Sequence, residues 1–122
     1  MDKSSDAINV GKNQLISSKI LFEEEQYRDS ITLSYFAMFS SARALLLKKG
    51  ISPKTHESTL RLFAKEYVRN VLFSRRFFGF IYDARETRND SSYGYSKIFS
   101  QEDAQVLISQ AEEFIDEVET LL

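Results

Sequence analysis

The chain has no cysteine, no tryptophan, one proline, one histidine and four glycines in 122 residues. Zero cysteine removes disulfide frameworks, thiolate nucleophiles and sulfur-ligated metal sites. His56, the lone histidine, cannot build the usual zinc sites by itself, so the expectation is no metal and no cofactor. With so little proline and glycine, and no repetitive or low-complexity stretch, residues 1–122 are expected to form a single domain. The opening "MDKSSDAINV" holds no apolar run of signal-peptide length, and no run is read as long enough to span a bilayer. A cytoplasmic protein with no membrane partner is therefore expected. A net charge of −2 excludes coating nucleic acid through bulk electrostatics, while leaving room for a small local phosphate site.

What the chain does have is aromatic mass: ten Phe and six Tyr within a 43% apolar composition. A domain this small leaves much apolar surface to cover, which favours self-association, in the commonest case as a symmetric dimer.

The apolar periodicity is helical nearly throughout. A first helix, about Asp6 to Glu25, carries Ile8, Leu15 and Phe22, with Ile16 and Ile20 one face over, and ends in an acidic run that opposes the macrodipole. A second, about Arg28 to Lys49, is apolar over a broader arc and is expected to be central; "LKKG" closes it with cations and a glycine stop. Before the third helix either Ser52, ahead of Pro53, or Thr55 can serve as cap, and Leu60, Phe63, Ala64, Tyr67, Val68 and Val71 give its buried stripe. The fourth starts near Ser74 and repeats Phe77, Ile81, Ala84 and Arg88 along one face. "SQED" is a capping-box signal for the last, whose apolar face runs from Ala104 to Leu122. The sum is an all-α, up-and-down bundle of four to five helices.

One stretch carries chemistry. "ARETRNDSSYGY" follows the aromatic "FFGFIY" and puts Arg88 at the end of an apolar stripe. There an arginine must snorkel, pair with an acid such as Asp83, Glu86 or Asp90, or face a cleft between packed surfaces. Arg75, Arg76 and Arg85 add a local basic surface that solvation alone would account for, and His56 at the start of the third helix reads as a cap or loop contact.

From Arg88 the pattern continues as polar Asn89, three residues, Tyr93, and Tyr95 two further on. This resembles the signature of the HEPN superfamily, an arginine, a polar residue, a few residues and a histidine, often with a tyrosine two positions later. Tyr93 stands at the histidine position. "RNDSSY" is also similar to the version in small members encoded beside a minimal nucleotidyltransferase, where arginine, two residues and Ala-Asp-Tyr occur; Ser91 and Ser92 replace Ala and Asp. "SYFAMFSSARALLLKKGISPKTHESTLRLF" and "EDAQVLISQAEEF" fit the same branch, so the resemblance covers roughly residues 10 to 118.

The resemblance implies a homodimer whose motifs face one another in a cleft, and metal-independent RNA cleavage in catalytic members. It assigns Arg88 to the scissile phosphate, Asn89 to holding that phosphate or orienting the arginine, and Tyr93 to proton transfer or base stacking. It also implies a minimal nucleotidyltransferase partner, for which Tyr95 is the candidate AMP acceptor. A non-catalytic interaction or nucleotide-binding subunit of such a complex is the alternative.

Overall fold

The computed structural model describes residues 2–89 and 98–122, with the side chain of Asn89 left aside. Among these residues five helices follow one another: α1 Lys3–Glu23, α2 Tyr27–Lys48, α3 His56–Phe63, α4 Arg75–Asn89 and α5 Gln101–Leu121. The α3 rod continues through a π-helical turn, Ala64–Val68. Among the described residues there is no strand, and the architecture is the expected all-α bundle.

Local chemistry sets most boundaries. Asp2 caps α1 by accepting from the Ser5 amide at 2.7 Å. That amide bond holds the Asp2 carboxyl below its ordinary range. Thr55, not Ser52, caps α3, in a reciprocal box with Ser58. Ser100 and Asp103 form the same box at α5, as the sequence indicated. Ser74 precedes α4, its hydroxyl accepting from the Phe77 amide at 3.2 Å and its own amide donating to Glu117 at 2.9 Å.

Three helical segments end alike. Amides of Gly50 and Ile51 donate to the carbonyls of Leu47 and Leu46 at the end of α2, with Gly50 at φ +79°. Glu25 and Gln26 donate to Phe22 and Leu21 after α1, and Val71 and Leu72 to Val68 and Tyr67 after the π turn. Each is a Schellman closure, which puts one residue in the left-handed region. Glu25 at φ 62° and Val71 at φ 60° adopt it without being glycine.

Helix α2 is central and packs on all four other helices. It is also long and apolar enough, by length and composition, to cross a bilayer, contrary to the reading of the sequence. Buried positions make up 61% of its most apolar window, so the apolarity serves the bundle core. The ring of Phe63 on α3 gathers Tyr67, Phe73, Phe78 and Phe114 about itself, with centroids 5.0 to 6.1 Å away. In this way α3, α4 and α5 share one aromatic core.

Helix α1 differs most from its sequence expectation. Ile16 and Ile20 are 56% and 58% exposed, while Gly11 and Ser18 are buried against α2. Ser18 Oγ lies 3.0 Å from Ser30 Oγ and 2.7 Å from Ser34 Oγ, and donates to the Ser30 carbonyl at 2.7 Å. A Cβ added at Gly11 would sit 2.8 Å from Ser41 Oγ and 3.0 Å from the Ala37 carbonyl. Small residues let the two backbones approach, and paired hydroxyls replace the apolar contact that the pattern suggested.

Candidate functional site

The α4 stripe buries Ile81 and Ala84 fully, then brings Arg88 to the α2 surface. The Arg88 guanidinium carbon stands 4.7 Å from the Phe36 ring centroid and 5.5 Å from that of Tyr35. Aromatic faces attract a guanidinium and hold its plane while leaving its N–H edge for a polar partner. Arg28, in the first turn of α2, lies over Phe99 in the same manner at 4.8 Å. Both arginines line one cleft of about 250 Å³, with Asp29, Ile31, Thr32 and Phe99. Two cations and the Phe99 face at one opening, beside the Asp29 carboxylate, suit a phosphate-bearing ligand held by the guanidiniums.

Behind Arg88, the Arg85 guanidinium donates to the Glu57 carboxylate, joining α4 to the start of α3. The hydrogen bond, and then the charge of Arg85, holds the Glu57 carboxyl below its ordinary range. The bond to Glu57 likewise raises Arg85 above the usual guanidinium value. Arg85 is thus part of an ion pair joining two helices, not of a solvated basic face. His56 belongs to the same wall of α2, its ring centroid 4.2 Å from Phe39 and 6.0 Å from Phe36. Thr55 does the capping, so the imidazole is free of the cap role that the sequence suggested.

Of the residues singled out in the sequence, Arg88 reaches the cleft and Asn89 closes α4 beside it. Tyr93 and Tyr95 lie outside the described residues, as does the side chain of Asn89. Sequence reasoning missed Arg28, Tyr35 and Glu57. Arg28 left one signal, because a cation in the first turn of a helix opposes the macrodipole and needs another reason to be there. Tyr35 left none, since an aromatic on a core helix is ordinary.

Comparison with known proteins agrees with this architecture. A family model described as "HEPN domain" matches residues 4–121. "Putative toxin MJ0605" of Methanocaldococcus jannaschii is 32% identical over 115 residues, covering 94% of this chain and 85% of that protein. A second protein of the same organism, "Putative toxin MJ0142", is 29% identical over 115 residues, covering 94% of this chain and 78% of its own length. A Thermotoga maritima "UPF0332 protein" is 31% identical over 108 residues, covering 88% of this chain and 82% of its own length. A match over nearly the whole bundle, on a fold of the expected class, leaves one conclusion: the chain belongs to the HEPN domain family.

Proposed function

We propose that this chain is a toxin-type HEPN protein, a single domain over residues 1–122, that binds and cleaves RNA without a metal in the cleft of a symmetric dimer. The observation that carries the reading is the pairing of Arg28 and Arg88 at one cleft, each laid on an aromatic ring. The names of the two archaeal relatives support the toxin class.

In the reaction, a ribose 2′-oxygen bonds to the adjacent phosphorus as the bond to the next nucleotide's 5′-oxygen breaks. The products are a 2′,3′-cyclic phosphate and a 5′-hydroxyl; one proton leaves the 2′-oxygen and one reaches the 5′-oxygen. Arg88 stabilises the charge that builds on the phosphoryl oxygens, and Asn89 holds the phosphate or orients the guanidinium. Tyr93 takes the place of the family's histidine. A phenol near pKa 10 serves as base only when adjacent guanidiniums lower that value, and otherwise stacks on a base. In the cytoplasm, where this chain is placed, a minimal nucleotidyltransferase regulates it by placing AMP on Tyr95.

The test is metal-free incubation of the purified chain and Arg88→Ala with a mixed tRNA and mRNA pool, reading fragment ends. Cyclic phosphate ends from the parent are expected, with cleavage reduced at least about a hundredfold in the variant while the dimer persists. No cleavage by the folded dimer refutes the nuclease and favours the second reading, a non-catalytic partner subunit, which Tyr93 in place of histidine supports. Absence of a mass gain on Tyr95 with a cognate partner and ATP sinks the AMP-acceptor assignment.

A further inference from the structure

A sealed hydroxyl with no partner destabilises a core by about 1–3 kcal/mol. Tyr35 has one: the residue is 0% exposed, and its oxygen has no hydrogen-bond partner among the described residues. Tyr67 shows what this fold does with a buried phenol elsewhere, for it donates to the Leu45 carbonyl at 2.6 Å. The difference is position. Tyr35 lies beside Arg88, 5.5 Å from ring to guanidinium, and the charges of Arg85, Arg88 and Glu57 all bear on its hydroxyl. A neutral phenol is a donor, so what the Tyr35 hydroxyl lacks is an acceptor, and beside guanidiniums the acceptor that fits best is one rich in negative charge.

We propose that Tyr35 and Arg85 form a second phosphate-holding point behind Arg88, with Glu57 as the internal occupant that an RNA phosphate displaces from Arg85. The inference rests on the RNA reading above. Glu57 suits such exchange, since its side chain is 77% exposed while that of Arg85 is 27% exposed. A carboxylate in that setting holds its partner weakly, and a phosphate offers the same fork more charge and more acceptor oxygens. With Arg85 moved onto the phosphate, the Tyr35 hydroxyl donates to the same group. Three donors from α2 and α4, those of Tyr35, Arg85 and Arg88, thereby close on one stretch of backbone.

The experiment measures binding of a fully 2′-O-methylated oligoribonucleotide, which cannot be cleaved, to the full chain and to Tyr35→Phe, Arg85→Ala, Glu57→Gln and Arg88→Ala. Melting of each protein without RNA is recorded alongside. Tyr35→Phe is expected to melt at or above the parent temperature, having lost an oxygen that made no bond, and to bind about tenfold more weakly or worse. Arg85→Ala weakens binding likewise, and Glu57→Gln tightens it severalfold by releasing Arg85. Unchanged affinity in Tyr35→Phe, with Arg88→Ala impaired, overturns this proposal and leaves the RNA reading standing. Unchanged affinity in Arg88→Ala overturns the RNA reading itself. Lower melting of Tyr35→Phe assigns the hydroxyl a structural partner and overturns the proposal, as does weaker binding by Glu57→Gln.

Discussion

Replacing Val71 by glycine is expected to stabilise the protein. Val71 holds φ 60° in the closure after the π turn, its amide bonded to the Val68 carbonyl and that of Leu72 to Tyr67. For an L residue the left-handed region costs about 1–2 kcal/mol, and a β-branched side chain stands at the upper end. Glycine escapes that strain but loses about 0.5–1 kcal/mol in unfolded-chain entropy. The valine side chain returns almost nothing, because the residue is 87% exposed. The net gain is about 0.5–1 kcal/mol, or about 2–4 °C in melting temperature for a chain of this size. Scanning calorimetry of Val71→Gly beside Gly50→Ala checks the argument, since Gly50 occupies the equivalent place after α2 at φ +79° with nothing within 4 Å of an added Cβ. Gly50→Ala is expected to melt lower by a similar amount. A lower melting temperature for Val71→Gly would refute the reasoning and show that the valine is covered in solution.

Two further outcomes follow from the same packing. Gly11→Ala and Gly79→Ala make one chemical change with different results in denaturant titration: at Gly79 nothing lies within 4 Å of a new Cβ, and the helix gains about 0.8–1 kcal/mol in propensity. At Gly11 the new Cβ meets Ser41 Oγ at 2.8 Å and the Ala37 carbonyl at 3.0 Å, and overpacking of about 1–3 kcal/mol cancels or exceeds that gain. Equal shifts in the two variants would contradict the close α1–α2 contact. Alkaline melting tests the buried phenols: burial pushes both Tyr35 and Tyr67 above the ordinary phenol range, the Arg85 and Arg88 charges partly offsetting it at Tyr35. Folded tyrosines then keep protons that unfolded ones release above about pH 10, so stability is full below that pH and falls as pH rises through the folded values. Melting temperatures that rise across that alkaline range would contradict the burial.

Much of the fold was legible because much of it is local. Ser100 and Asp103 cap α5 within one turn, Gly50 stops α2, and the α5 stripe from Ala104 to Val118 is buried as its spacing indicates. The polar run from Arg88 onward was read as a site from its residue types; of those residues the structure describes Arg88, which lines the cleft, and the backbone of Asn89. The α1 face was legible in part: Ile8, Leu15 and Phe22 join the core as their spacing indicates, but Ile16 and Ile20 are exposed and the close contact with α2 belongs to Gly11 and Ser18. Periodicity ranks residues by hydrophobicity, whereas close backbone approach rewards small ones that hydrogen-bond across.

The amino-acid sequence by itself determined the helices, their ends and the family, since caps, stops and apolar spacing act within a few residues of the chain. Only the tertiary structure decided which helix faces pair, that Arg28 joins Arg88 at one cleft, that Arg85 is held by Glu57, and that the Tyr35 hydroxyl has no partner among the described residues. Those contacts join residues 28 to 60 positions apart in the chain, such as Glu57 with Arg85 and Arg28 with Arg88. Their energies depend on distance and burial, which come into being only when the helices pack.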